Sequence, residues 1–426
     1  MGSGSASTLP LLDLVAIFLT LTAALSWANL RFLKLPTTVG LLLIGLVGSG
    51  LVILTDYLFA GLQTAEALTG LMSQLDFTNA VLLFMLGYLL FAGALEVDLK
   101  ALKGVFWTAV VLATAGVLLS TAIIGAGFWW TARQLGFDLP FPWALVFGAL
   151  ISPTDPVAVL AALQRVKLPP QAEALMQAES LFNDGVGVVL FGAAVSYAAG
   201  QTSPELLPLG GRVAWEALGA AAIGAMGAGV VVAAMRRIDD YGIEVALTLA
   251  LATGVYALCH RLGLSGPIGV AVAGLMVGSE WAGTAMSDQT NRYVRGFWRL
   301  VDQNLNALLF LIIGLEVLVL PLDWSFAGLA AVAVVLVLFA RLVSVTGPVV
   351  LLARCRDELG YGIVPVLTWG GVRGGISVAL ALSLPPGEAR DAILTSTYVI
   401  VLVSNLVQAT TLPQLTQRVL TRGGEG

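Results

Sequence analysis

The sequence predicts an all-α polytopic membrane protein of about thirteen transmembrane helices, from its composition, the spacing of its apolar runs and the placement of its basic residues. Only 21 Lys+Arg and 26 Asp+Glu occur among 426 residues, a charged fraction of 11%, against roughly 25% in an ordinary soluble domain. Hydrophobic residues make up 58% of the chain and the mean hydropathy is +0.93. A soluble globule of this length could not cover its surface with so little charge. A soluble enzyme, a disordered chain and a nucleic-acid binder are therefore excluded.

At about 20 residues per crossing, the apolar runs fall at 10–30, 36–54, 77–95, 104–130, 140–163, 171–198, 210–235, 241–260, 265–281, 297–320, 325–353, 361–383 and 389–412. Barrel strands would alternate in units of about ten residues, and these runs do not. Residues 1–9 read as a flexible polar N-terminus or an expression scar, and residues 413–426 as a short cytoplasmic tail. No positive segment precedes the first apolar run, so no cleavable signal is read there.

The loops test that division. Arg133, Arg212, Arg261 and Arg390 fall in one alternating set, four residues in all. The other set holds fifteen: Arg31, Lys34, Lys100, Lys103, Arg165, Lys167, Arg236, Arg237, Arg292, Arg295, Arg299, Arg354, Arg356, Arg418 and Arg422. Basic loops stay in the cytoplasm. The N-terminus is therefore expected outside and the C-terminus inside, in the cell's inner membrane, with an odd number of crossings. Cys259 then lies near the outer face and Cys355 near the inner one, too far apart for a disulfide. His260 reads as a surface residue, and Trp129, Trp130 and Trp281 as members of an interfacial belt.

A short internal match supports an inverted repeat. Gly93-Ala-Leu-Glu-Val97 in one run parallels Gly314-Leu-Glu-Val317 in another. Glu96 precedes Asp155 by 59 residues, and Glu316 precedes Arg373 by 57. The two copies are seven runs apart, an odd offset that turns the second upside down. Transporters built this way place their site at the midplane, where broken helices meet.

Five ionisable residues fall well inside the runs: Asp155, Glu179, Asp184, Arg341 and Arg373. Each costs roughly 2.5–3.5 kcal/mol at a helix centre on insertion scales, so a pairing or a function is expected of each. Asp155 lies in Ile151-Ser-Pro-Thr-Asp-Pro-Val157. Prolines at 153 and 156 should open the helix and free carbonyls beside the carboxylate, giving hard oxygen ligands for a monovalent cation. In Glu179-Ser-Leu-Phe-Asn-Asp184, Ser180 and Asp184 share one helix face and Glu179 and Asn183 the next. Gly185 and Gly187 then allow close approach of another segment. Asp155 and Asp184 come to similar depth on consecutive helices, where two carboxylates can share one cation or one proton. Holding either, but not both, is the minimal chemistry of a proton-coupled cation antiporter. Arg373, in Trp369-Gly-Gly-Val-Arg-Gly-Gly-Ile-Ser377, reads as a fixed counter-charge, since arginine does not release its proton. Glu179 is left to pair with Arg373 or Arg341.

Ser152-Pro-Thr-Asp-Pro156, Glu179-Ser-Leu-Phe-Asn-Asp-Gly185, Gly370-Gly-Val-Arg-Gly374, Ser265-Gly-Pro267 and Leu95-Glu-Val-Asp98 together resemble NhaP-type sodium/proton antiporters, relatives of the eukaryotic sodium/hydrogen exchangers. The resemblance implies an NhaA-like fold with inverted repeats at 10–198 and 241–412, a linking helix at 210–235, and crossed unwound helices. It implies a homodimer, with a dimerisation domain at 10–95 and 241–320 and a core ion-transport domain at 104–198 and 325–412. By the same likeness Asp184 carries sodium or proton. Asp155, Ser180 and the Thr154 carbonyl complete the Na+ site, with Li+ as a second possible cargo. Asn183 stands where electrogenic relatives carry a second aspartate, which implies one-for-one, electroneutral exchange. Glu179 is expected to pair with a core arginine, Arg373 being preferred narrowly over Arg341. The resemblance implies no organic cofactor and no partner beyond lipid and a second copy. A cation-coupled symporter of an organic solute is the main rival. An intramembrane aspartyl protease is a weaker one, because Asp184 follows Phe182-Asn183 rather than Gly-x-Gly.

Overall fold

The computed structural model describes residues 11–59, 64, 68–70, 77–155, 159–160, 163, 166, 168–200, 206–318, 324–353 and 363–423. The N-terminal residues 1–9, Pro156, Arg165, Lys167, Arg354, Cys355 and Arg356, singled out above, lie outside them. The described residues form helices and connecting turns. We label them α1 (Leu11–Ala28), α2 (Thr37–Leu58), α3 (Leu86–Glu96), α4 (Leu99–Val111), α5 (Val117–Gln134), α6 (Phe141–Ile151), α7 (Pro170–Ala198) and α8 (Leu206–Met235). There follow α9 (Tyr241–Arg261), α10 (Gly266–Gly278), α11 (Asp288–Glu316), α12 (Ala327–Ala353), α13 (Ile363–Trp369), α14 (Gly375–Leu382), α15 (Glu388–Val403) and α16 (Ala409–Gly423). Wide π turns join α4 to α5 at Leu112–Gly116 and α15 to α16 at Ser404–Gln408.

Local chemistry sets the helix starts. The Asp98 carboxylate accepts from the Lys100 and Ala101 amides at 2.8 and 3.2 Å to begin α4. Asp240, Ser265 and Ser287 cap α9, α10 and α11 in the same way. Proline occupies the first turn of α6, α7 and α10, where its missing donor costs nothing.

Among the described residues, eight helical stretches are long and apolar enough to cross a membrane, and three shorter apolar helices accompany them. The runs at 140–163 and 361–383 do not give single long helices, because α6 stops at Ile151 and α13 and α14 are separated by the glycine-rich turn. Two boundaries differ from expectation. α11 begins at Asp288, well before the apolar run at 297, because its first half is polar. The last helix continues past Pro413 to Gly423, so most of the expected tail is helical.

Two apolar cores hold the bundle. The larger draws on α4–α7 and α12–α16, with Leu42, Leu90 and Phe310 contributed from α2, α3 and α11. The second gathers Phe91, Leu95, Ala220, Val255, Val270 and Trp298 from α3 and α8–α11. Trp298 is fully buried there and donates its indole N–H to Thr248 Oγ1 at 2.9 Å. Cys259 is buried in this core, whereas His260 is exposed, as a surface histidine should be.

Candidate functional site

The centre of the molecule is a crossing of two interrupted helices. α6 unwinds at Ser152–Asp155, and the α13–α14 pair is interrupted at 370–374. A break inside an apolar bundle strands backbone donors and acceptors, and each must find a partner away from water. The Asp155 amide donates to the Val372 carbonyl at 2.8 Å, joining the two breaks directly. Ser377 Oγ, in the first turn of α14, donates to the Leu150 carbonyl at the end of α6 at 3.0 Å. The Arg373 amide donates to Ser404 Oγ at 3.1 Å, and Asn405 Nδ2 donates to the Arg373 carbonyl at 2.7 Å. The π turn after α15 thus supplies two side chains that close the second break.

α7 closes the first. Asn183 Oδ1 accepts from the Thr154 amide at 3.3 Å, and Asn183 Nδ2 donates to Thr154 Oγ1 at 2.9 Å. Ser180 Oγ lies 3.1 Å from the same hydroxyl. The amide of Asn183 therefore clamps Thr154 as both donor and acceptor, which an aspartate, acceptor-only when ionised, could not do. Helical spacing alone pairs Asn183 with Glu179, but the structure turns it with Ser180 toward Thr154. Gly187 permits this approach: a β-carbon there would lie 2.1 Å from Pro153 Cγ.

Asp155 and Asp184 face a common cavity of about 1270 Å3, and Thr154 and Ser377 also line it. Asp184 is only 7% exposed, and its carboxylate makes no hydrogen bond to a described residue. The two aspartates are close enough for their charges to act on each other. The cavity opens at the end of the bundle that carries Lys34, Glu96, Arg299 and Gln417.

The arginine assignment is corrected by the structure. Glu179 pairs with Arg341, not Arg373. Arg341 Nη1 donates to Glu179 Oε1, Nη2 to Oε2 at 2.8 Å, and Nε to the Leu367 carbonyl at 3.2 Å. The fork geometry of guanidinium suits this bidentate contact. Arg341 reaches Glu179 across the second break because Gly371 leaves room: a β-carbon there would stand 3.0 Å from Arg341 Nε. Arg373 is 1% exposed, and its three guanidinium nitrogens have no hydrogen-bond partner among the described residues. It acts on Asp184, Glu179 and Arg341 by charge alone.

Asp155 is fitted against Gly374. A β-carbon at Gly374 would lie 2.3 Å from Asp155 Oδ2 and 2.8 Å from its Cβ, so Gly374→Ala must displace the carboxylate. A displacement that costs about 1.4 kcal/mol of binding is a tenfold loss of affinity. If Asp155 holds the cation, as the resemblance implies, Gly374→Ala should raise the apparent cation KM on the order of tenfold, read in a transport assay beside a melting curve.

Two acidic groups on α11 also occupy the interior: Asp302 lines the cavity and Glu316 is buried. Asp302 is not among the five ions singled out from the sequence, because it falls only five residues inside the apolar run at 297–320 and reads there as an end residue. The signal that could have found it is the repeat of Arg299, Asp302 and Asn306 at helical spacing.

A helical membrane bundle with two broken helices crossed beside carboxylates that face a cavity is the architecture of a secondary transporter. The chain belongs to the family of transmembrane sodium/hydrogen exchangers, whose sequence profile matches residues 17–418. It is a transporter and not an enzyme. It is 43% identical over 413 residues to the Na(+)/H(+) antiporter NhaP of Pseudomonas aeruginosa, covering 96% of this chain and 97% of the relative. It is 34% identical over 396 residues to the Na(+)/H(+) antiporter NhaH of Halobacillus dabanensis, covering 91% and 93%. Its fold matches that of the sodium proton antiporter MjNhaP1 from Methanocaldococcus jannaschii at pH 8, with a TM-score of 0.74 and 21% identity over 96% of this chain and 98% of that one. The resemblance to NhaP-type antiporters is thereby borne out.

Proposed function

We propose that this chain is a secondary active antiporter that exchanges Na+ for H+, one for one, by alternating access with both ions competing for Asp184. The observation that carries the reading is the Asp184 carboxylate, buried, without a hydrogen bond to a described residue and turned into a cavity that it shares with Asp155. A carboxylate so placed takes up either a proton or a cation to offset its desolvation. The curated relatives are named as Na(+)/H(+) antiporters, which fits this chemistry. Asp155, Ser180 and Thr154 are the other ligands. The Thr154 hydroxyl is engaged by Ser180 and Asn183, so its backbone carbonyl is what it offers. With Asn183 neutral and committed to Thr154, one carboxylate charge is left to alternate between the two ions, which favours electroneutral exchange. Glu179 and Arg341 neutralise each other nearby, and Arg373 is the fixed counter-charge.

In this reading thirteen crossings form two inverted repeats, in the cell's inner membrane. The core ion-transport domain at 104–198 and 325–412 moves against a dimerisation domain at 10–95 and 241–320, and two chains form a homodimer. The cavity mouth carries Lys34 and Arg299, which belong to the basic loops. By the positive-inside rule that end is cytoplasmic, and the state described is inward-facing, with the N-terminus outside and the C-terminus inside.

The test is cation-induced collapse of an imposed pH gradient in proteoliposomes, comparing sodium, lithium, potassium and choline with the membrane potential clamped and free. A sodium or lithium response indifferent to the clamp is expected. No response from folded protein at any pH would sink the reading and leave the symporter as its replacement.

A further inference from the structure

We infer that Asp302 is an entry station for the hydrated monovalent cation, holding it on the cavity wall before it reaches Asp155 and Asp184. The inference rests on the exchange reading above. Arg299, Asp302, Asn306 and Leu309 follow one another at intervals of three, four and three residues on α11, one face of the helix, and all four line the cavity. Leu309 packs on Gly375: a β-carbon there would meet Leu309 Cδ1 at 2.6 Å. Gly375 adjoins Gly374, which abuts Asp155. At 1.5 Å per residue, Asp302 therefore stands about 10 Å nearer the mouth than the floor of the site.

The mouth is marked by Glu96, whose Oε1 accepts from Arg299 Nε at 2.9 Å, with both side chains well exposed. That pair is neutral in sum. The next acid inward is Asp302, which lines the same cavity as Glu96 and Asp155. Asn306 Nδ2 donates to Asp302 Oδ1 at 3.0 Å and to the Asp302 carbonyl at 2.9 Å. This holds the carboxylate by one oxygen and leaves Oδ2 without a described partner. Among the described residues, Asp302 is thus the first cavity acid inward of the Glu96–Arg299 pair, and no basic side chain bonds it. A row of acids alone would mean little. The independent sign of a ligand is Asp184, 7% exposed and without a hydrogen bond to a described residue, turned into the same cavity. A negative group inside a walled cleft concentrates cations and speeds their capture. A station midway also lets the ion exchange part of its water shell before the narrow site.

The full-length protein in vesicles of defined orientation tests this, with initial exchange rates measured against sodium presented at each face. Asp302→Asn should raise the sodium KM about five- to tenfold from the face bearing Lys34, with Vmax kept and the KM from the opposite face unchanged. Added choline chloride should raise the parent's KM more steeply than the variant's, and Asp302→Glu should restore the parent values. Unchanged KM at both faces, or equal rises at both faces with a fall in Vmax, would overturn the inference and leave Asp302 as a structural partner of Asn306. If the parent protein itself shows no sodium-dependent exchange, the antiport reading and this inference fall together. Parental exchange with an indifferent Asp302→Asn removes the inference alone.

Discussion

Asp184→Asn is expected to abolish sodium-driven proton flux while leaving a folded protein. The substitution keeps the shape of the side chain and removes the carboxylate that, in the proposed exchange, alternates between a charged, cation-holding form and a neutral, protonated form. Asp184 makes no hydrogen bond to a described residue, so asparagine breaks no scaffold contact there. It also removes the cost of burying a charge. The thermal transition should hold or rise. Exchange should fall by at least about a hundredfold, the equivalent of about 2.7 kcal/mol in site occupancy. Proteoliposome flux and a melting curve on the same preparation check both halves. Residual exchange at a tenth of the parental rate would remove Asp184 from its assigned role. Unfolding of the variant would assign it to the scaffold.

Glu179→Ala is expected to produce the opposite pattern, a loss of stability first. Arg341 and Glu179 are both buried and form a bidentate pair. Deleting one partner leaves an uncompensated charge in the interior, a change that costs about 3–5 kcal/mol. Arg341→Ala should cost a similar amount for the same reason. Replacing both residues with leucine should recover much of the loss, since removing a buried pair altogether is often nearly neutral. Thermal or chemical unfolding in detergent, run as a double-mutant cycle, gives the coupling. A cycle with no coupling would show that the pair contributes nothing to holding α7 against α12. The same single substitutions at Arg373 should not follow this pattern, because the Arg373 guanidinium makes no hydrogen bond to a described residue.

The parts of the molecule legible from sequence are those where the membrane makes a residue costly. Asp155, Glu179, Asp184, Arg341 and Arg373 stood out because each is an ion among apolar neighbours, and all but Asp155 are buried outright. The breaks were legible as well: Pro153 before Asp155 and four glycines around Arg373 weaken a helix whatever surrounds it. The pairing of Glu179 was not legible. Its partner is 162 residues away, on a helix that meets α7 only through tertiary packing, and spacing along one helix carries no record of that. The role of Asn183 was hidden for the same reason, since its clamp on Thr154 exists only once α7 lies against the broken α6. α11 escaped at its start because hydropathy sees only its apolar part, and residues 288–296 are largely polar or charged. The last helix was ended too early at Pro413. One missing donor there is absorbed, and the Thr416 hydroxyl bonds back to the Leu412 carbonyl at 2.9 Å.

The hydrogen bonds that close the crossing all end on α6, α7, α14, the π turn after α15 or the opposite break, among the described residues. None is made to α11, although α11 forms a wall of the same cavity. Two breaks braced against each other and against α7 and α14 keep their spacing whichever way the cavity faces. In the proposed exchange, a cation seated there would need no new set of oxygens midway, and the reorganisation energy of dehydrating it would be met once, at entry.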